Sequence, residues 1–234
     1  MTVEDFRRAS LEEFGLPGDR EDPSYPSSVM DRMFNRGHRW LAARCRLYRD
    51  PKTYTLPLGS SGLSLVTLGE EVIQVIRQTV EILYDGRWTY VDFSEETYAR
   101  QDLGSIRDGQ NGQPLYAWVT EGLSTAAGRV LAMFPGSDQA VASGVALNAY
   151  VYPSVITDGT ARPYFSEAEH DRLLPRICYY MALREQSFGR ADAVRVQHWL
   201  AESERQADEL KLIIERARAG GSQRIAVDPA DMWT

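Results

Sequence analysis

Residues 80–90, VEILYDGRWTY, carry the clearest structural signal in this chain of 234 residues. Asp85-Gly86 at their centre is a dipeptide strongly preferred in two-residue hairpin turns, because both of its residues tolerate positive φ. Aliphatic, β-branched and aromatic residues flank the dipeptide on both sides, as is typical of strands. The pattern predicts a β-hairpin between residues 80–84 and 88–93.

The hairpin lies in a region, residues 52–159, that has the composition of several short strands. Glycine or proline recurs roughly every eight to fifteen residues there, and β-branched and aromatic residues lie between them. Residues 72–76 also fit one helical turn, but the adjacent hairpin favours a strand. Pro135-Gly136 is predicted to form a type II turn. Strands are predicted over residues 63–68, 72–84, 115–120, 129–134 and 140–152.

Upstream of this region the sequence is helical. Thr2 is the predicted N-cap of a first helix, and Ser10 with Glu13 forms a capping-box match at which the helix restarts. A longer helix is predicted over residues 28–48, ended by Asp50-Pro51 because proline disfavours the helical conformation in the residue before it. One face of this helix is apolar. Its opposite face carries five arginines: Arg32, Arg36, Arg39, Arg46 and Arg49.

The sequence downstream of the strands is helical again. Ser166 and Glu169 match a capping box before an apolar stripe that reaches Phe188, and Pro175 indicates either two helices or one helix with an early kink. A long helix is then predicted over residues 191–219. Its apolar seam repeats at spacings of three and four, as in a bundle helix. The seam consists of Val196, Trp199, Ser203, Ala207, Leu210, Ile214 and Ala217.

The order of elements, helices then strands then helices, predicts an α+β fold and argues against a doubly wound parallel sheet. We expect an antiparallel helical bundle with an inserted antiparallel β-sandwich or β-barrel-like domain and an extended C-terminal tail. The predicted boundaries are 1–50 and 161–221 for the two parts of the bundle, 51–160 for the β domain and 222–234 for the tail.

Composition narrows the class of protein. The formal net charge of −7 argues against binding nucleic acid through a broad basic face, but it is compatible with a chain that lets DNA pass. Two cysteines, Cys45 and Cys178, are too few for a disulfide framework and are expected to be buried thiols. The sequence has no apolar run of transmembrane length, and its first residues are acidic rather than signal-like. We therefore expect folding in the cytoplasm.

No motif in the sequence indicates catalysis, a cofactor or a metal. Residues 104–109 have the spacing of a phosphate-binding loop, but Gln110 occupies the position of the required lysine. His38 with Cys45, and His170 with Cys178, are too far apart along their helices for either pair to chelate zinc alone. Two alternatives remain open: a hydrolase with an unrecognised catalytic triad in the β domain, or a β-sandwich binding module on a helical stalk.

The whole order of signals resembles the head-to-tail adaptor (connector, or tail tubular protein A-like) proteins of tailed bacteriophages. The resemblance covers about residues 28–218. The features that carry it are RCRLYRD (44–50), VEILYDG (80–86) with the acidic turn SEETY (94–98), GQPLY (112–116), RVLAMFPG (129–136), YVYP (150–153), LLPRICYYMAL (173–183) and HWL (198–200).

The resemblance implies a structural virion protein without catalytic activity. Such adaptors form a homo-oligomeric ring, here expected to have twelve subunits, that binds the portal protein and continues the DNA channel. On the other side the ring would meet the tail tube, nozzle or tail-terminator protein. The implied location is the neck of the virion after assembly in the host cytoplasm. Double-stranded DNA would pass without sequence-specific binding, and no membrane would be involved.

Two groups of residues are predicted to make these contacts. Arg32, Arg36 and Arg39 face away from the apolar stripe of their helix and are expected to meet acidic residues within or between subunits. The acidic candidates on the long helix are Glu202, Asp208 and Glu209. The tail is expected to dock on the portal, with a short strand followed by a terminal anchor. Its docking residues are Arg224, Ile225, Val227, Met232 and Trp233.

Overall fold

The computed structural model describes residues 1–18, 23–94, 111–121 and 129–219. Helices precede and follow a block of strands, so the fold is α+β with antiparallel sheets, as the sequence predicts. The helices are α1 (Val3–Glu13), α2 (Ser27–Cys45), a 3-10 helix (Glu167–Leu173), α3 (Leu174–Ser187) and α4 (Ala193–Ala219). The strands are β1 (Tyr48–Leu56), β2 (Ser64–Thr67), β3 (Val72–Val75), β4 (Glu81–Tyr84), β5 (Arg87–Tyr90), β6 (Asp92–Phe93), β7 (Tyr116–Glu121), β8 (Arg129–Phe134) and β9 (Val141–Val151).

The described chain divides into two compact units. The helical unit contains residues 1–48 and 152–219, and the β unit contains residues 49–151. The chain therefore leaves the helical unit along β1 and returns to it at the end of β9. These two strands are hydrogen-bonded neighbours in one sheet.

The hairpin predicted around Asp85-Gly86 is confirmed as β4 and β5. Tyr84 pairs with Arg87 across the turn, and Asp85 and Gly86 have φ values of 48° and 73°. Positive φ at both central residues is the geometry that makes this dipeptide favourable in a hairpin. Ile82 on β4 is fully buried, so the hairpin contributes to the core of the β unit.

The β unit contains two sheets. The first has the order β1-β9-β4-β5, with β3 also paired to β9, and the second has the order β2-β8-β7-β6. The strand pairs with a described register are antiparallel except β6–β7, which is parallel. Fully buried aliphatic residues from both sheets form the core, among them Ile82, Val145, Leu131 and Met133.

The helical unit follows the predicted apolar pattern. Thr2 caps α1 in a reciprocal capping box with Asp5, and the ring of Phe6 packs 5.4 Å from that of Phe34 on α2, between ring centroids. The seam of α4 is confirmed, because five of its seven members are buried and the other two are partly buried. Burial of this stripe explains why α4 forms, since packing provides most of the stability of a helix in a protein.

The end of α2 differs from the prediction. The helix ends at Cys45, because Arg46 adopts a left-handed conformation with φ of 53° and its N–H bonds to the carbonyl of Ala42. Asp50-Pro51, predicted to end the helix, lies inside β1 instead. Since β1 is the outermost strand in its sheet order, it is the kind of strand in which proline is tolerated.

Two predicted caps are wrong. Ser10 is buried within α1, and its hydroxyl donates to the carbonyl of Phe6 at 2.7 Å, so the helix does not restart there. Ser166 makes no side-chain cap, and the turn after it is a 3-10 helix that leads into α3 near Pro175. Phe188, predicted to end the apolar stripe of α3, is 59% exposed.

The predicted type II turn at Pro135-Gly136 is also wrong. Such a turn needs positive φ at Gly136, and this glycine is not in the left-handed region. The residue is constrained by packing instead, because a Cβ atom there would lie 2.8 Å from the Cα atom of Gly59. Close approach of two backbones therefore explains the glycine.

Several predictions lie outside the described residues: most of the acidic turn at 94–98, the loop at 104–110, and the tail at 222–234. Among the described helices, none combines the length and the apolar character required to cross a bilayer.

Candidate functional site

The exposed face of α2 carries the three arginines predicted to make contacts. Arg32, Arg36 and Arg39 are all exposed. The Nε of Arg32 donates to the carbonyl of Ser28 at 3.2 Å. The guanidinium carbon of Arg36 lies 4.6 Å from the ring centroid of Tyr180, and that of Arg39 lies 4.5 Å from that of Tyr152. Aromatic contacts thus orient two of the three side chains without neutralising their charge.

The three acidic residues of α4 bind other arginines of the same chain. Asp208 contacts Arg44 on α2 at 3.1 Å. Glu209 contacts Arg172 of the 3-10 helix at 2.8 Å and also pairs with Arg205. Both contacts of α4 with earlier elements bring the start and the end of the helical unit together.

Glu202 and Glu209 form a network around Arg205 on the surface of α4. Arg205 contacts Glu202 at 2.5 Å, and Gln206 donates to the same carboxylate at 2.9 Å. These hydrogen bonds from Arg205 and Gln206 lower the pKa of Glu202 to about 2. A hydrogen bond from Arg172 likewise lowers the pKa of Glu209. Both carboxylates therefore remain ionised near neutral pH.

The structure does not join the two predicted groups within one chain. In the described part of the chain, Arg32, Arg36 and Arg39 form no ion pair with a carboxylate, whereas Glu202, Asp208 and Glu209 each have a partner. These three α2 arginines therefore form a cationic face, and no carboxylate in the described part of the chain pairs with them. An interface formed by this face would take its carboxylates from another chain.

Sequence reasoning missed the basic partners of the acidic residues. Arg205 was detectable, because it lies three residues after Glu202 and four before Glu209, the spacing of helical ion pairs. Arg44 and Arg172 reach α4 only through tertiary packing. Arg176 was missed too, although its guanidinium carbon lies 3.9 Å from the ring centroid of Trp40 and 4.6 Å from that of Tyr179. No local pattern indicates that stack.

A second candidate surface lies on the β-hairpin. Trp88 is 49% exposed and Tyr90 is 70% exposed, both on β5, the last strand in its sheet order. They alternate with Thr89, which pairs with the buried Ile82, so both aromatic rings lie on the other face of the sheet. Exposed aromatic residues at the edge of a sheet are typical of protein interfaces.

The cysteines and two of the histidines are buried. Burial raises the pKa of Cys45 and of Cys178 to about 12, so neither thiol is a reactive nucleophile. Burial lowers the pKa of His38 to about 3 and also lowers that of His170. Over the described ranges, no three His, Cys, Asp or Glu side chains are grouped so that they could hold a metal ion.

Comparison with known proteins identifies the family. No curated protein matches the chain. The family model for the SU10 adaptor protein matches residues 1–226, almost the whole sequence. The match includes both units and every described element, and it agrees with the resemblance to bacteriophage head-to-tail adaptors. The chain belongs to the SU10 adaptor protein family.

Proposed function

We propose that this chain is the subunit of a ring that joins the portal to the tail of a bacteriophage and continues the channel through which DNA passes. The observation that carries the proposal is the family match over residues 1–226. The ring has about twelve subunits and lies in the neck of the virion after assembly in the host cytoplasm. The role is structural and involves neither catalysis nor a cofactor.

The proposed architecture is a helical bundle, formed by residues 1–50 and 161–221, with a β-barrel-like domain inserted at 51–160. Contacts of α4 with α2 and with the 3-10 helix support the bundle. The connection from β5 in one sheet to β6 in the other, through Val91 alone, supports a closed arrangement of the two sheets.

The α2 arginines, Arg32, Arg36 and Arg39, are the proposed subunit contact in the ring. They are exposed, and their charge is not balanced within the described chain. The acidic side of the contact consists of Glu202, Asp208 and Glu209 of the neighbouring subunit. Each of these carboxylates also keeps its arginine partner within its own chain. One exposed pair contributes only about 0–1 kcal/mol, so repetition around a ring is what makes the contact effective.

The tail, residues 222–234, is the proposed contact with the portal. Apolar residues recur along its sequence, and an aromatic residue near its end is the proposed anchor. The docking residues are Arg224, Ile225, Val227, Met232 and Trp233. The opposite side of the ring receives the tail tube, nozzle or tail-terminator protein. Deletion of residues 222–234 is expected to abolish portal binding without unfolding the helical unit, and full portal affinity after the deletion would contradict this role.

The acidic balance of the chain suits a channel through which DNA slides. Repulsion between carboxylates and phosphates keeps the duplex from adhering to the wall. The isolated protein is therefore expected to show no tight binding to duplex DNA at moderate salt in a gel-shift assay. Tight, salt-resistant binding would contradict the channel role.

The decisive experiment is a measurement of assembly mass by sedimentation. Twelve chains of 26.4 kDa make about 317 kDa. The triple charge reversal R32E/R36E/R39E should dissociate the ring, and more so at low salt, whereas R190E on another exposed arginine should not. A protein that stays monomeric at all concentrations contradicts the ring. A ring that survives the triple reversal contradicts the arginine contact alone.

A further inference from the structure

A groove in the β unit is not explained by the ring or by the tail. Its cavity volume is about 560 Å³, and its lining comes from β3, β6, β7, the start of β8 and the neighbouring turns. Most of the lining is apolar. Its charged members in the described part of the chain are both arginines, Arg77 and Arg129, so the groove has a positive potential.

The two arginines have different roles. A guanidinium nitrogen of Arg129 donates to the carbonyls of Val72, at 3.3 Å, and of Ile73. It thus covers the edge of β3. Arg77 is exposed and makes no ion pair with a described carboxylate; its guanidinium carbon lies 5.9 Å from the ring centroid of Phe93. Arg77 is therefore available to an incoming anionic group.

Among the described strands, β6 has β7 as its only neighbour, so one of its edges is open at the same groove. The N–H groups of Asp92 and Ser94 donate to the carbonyls of Leu115 and Ala117 beside β7, at 2.8 Å and 3.0 Å. Because successive peptide groups of a strand point in opposite directions, the N–H and C=O of Phe93 between them point away from β7. They are suited to pair with one more strand.

We propose that this groove binds an extended peptide segment of a partner protein, in which a carboxylate lies between apolar residues. The segment adds to β6 as a strand and pairs with the N–H and C=O of Phe93. Its carboxylate binds Arg77, and its apolar side chains fill the groove. A peptide fits better than a nucleic acid because the lining is mainly apolar and offers one strand edge.

The test selects, from a random library of twelve-residue peptides, those that bind the full-length protein. The affinities of the enriched peptides are then measured. We expect a consensus of alternating acidic and apolar residues. R77E should weaken binding about tenfold or more, because it replaces an attractive charge by a repulsive one. R77K should retain most of the affinity. R87E is the matched control, since Arg87 is an exposed arginine of the same unit outside the groove lining.

Circular dichroism checks that R77E and R87E keep the wild-type fold. Four outcomes overturn the proposal: no acidic consensus, equal effects of R77E and R87E, displacement of the peptide by single-stranded DNA, or a consensus that matches residues 222–234 of this chain. Ring mass is measured separately, so failure here leaves the ring proposal untouched.

Discussion

Acidification should destabilise the helical unit through His38. The Nε2 of His38 lies 2.6 Å from the hydroxyl of Tyr48, while its Nδ1 is buried and has no hydrogen-bond partner among the described residues. A protonated ring would therefore place a positive charge and an unpaired N–H in the core. Burial lowers the pKa of His38 to about 3 for this reason, and the positive potential of His170 lowers it further.

The magnitude follows from the difference between the pKa values of the folded and unfolded states. The unfolded chain takes up a proton at its ordinary pKa of 6.5, whereas the folded chain takes it up only at about 3. The unfolded state thus binds more protons between these values, and stability decreases as the pH falls through that window. From pH 8 to pH 5 this amounts to a loss of about 2 kcal/mol.

The assay is urea unfolding followed by far-ultraviolet circular dichroism at several pH values and constant ionic strength. The double variant H38F/Y48F removes the titrating ring together with its partner, so that no polar group is left buried alone. It should lose about 2 kcal/mol less than the wild type between pH 8 and pH 5. H198Q, which removes an exposed histidine, should keep the wild-type dependence. Equal acid sensitivity in the double variant and the wild type would refute the reasoning.

Three further predictions concern packing. G136A should destabilise the β unit by about 1–3 kcal/mol in thermal unfolding, since its Cβ would lie 2.8 Å from Gly59, whereas G112A, with open space around it, should be neutral. L210A should cost about 2–5 kcal/mol because Leu210 is 1% exposed in the α4 seam, while L212A, at a position 51% exposed, should cost little. Cys45 and Cys178 should resist a thiol reagent at pH 8 and react only in denaturant; rapid modification of the folded chain would contradict their burial.

Local signals in the sequence predicted the elements that depend on local chemistry. Asp85-Gly86 specified its hairpin, and the spacing of the α4 seam specified both a helix and its buried face. The end of α2 was missed because a non-glycine residue, Arg46, takes the left-handed conformation that closes the helix. Pro51 was predicted to end the helix but lies inside β1, because proline is tolerated in a strand at the edge of a sheet.

The residues of the candidate site also divide into those that local sequence predicts and those that only tertiary packing brings together. The exposure of Arg32, Arg36 and Arg39 follows from helical periodicity and was predictable. The partners of Asp208 and Glu209 on other elements depend on how helices pack, which no sequence pattern encodes locally. The groove beside β6 combines residues from four strands spread between positions 72 and 129, so it became visible only in the structure.

The two ends of the β unit meet consecutive residues of a single helix. Tyr48, where the chain departs, is hydrogen-bonded to His38, and Tyr152, where it returns, lies under the guanidinium of Arg39. Helix α2 therefore holds both ends of a long insertion close together. These contacts of the helical unit offset part of the entropic cost of closing the insertion into a loop. For the same reason, a force applied to the β unit would reach α2 through two contacts, at His38 and at Arg39, and would be shared between them.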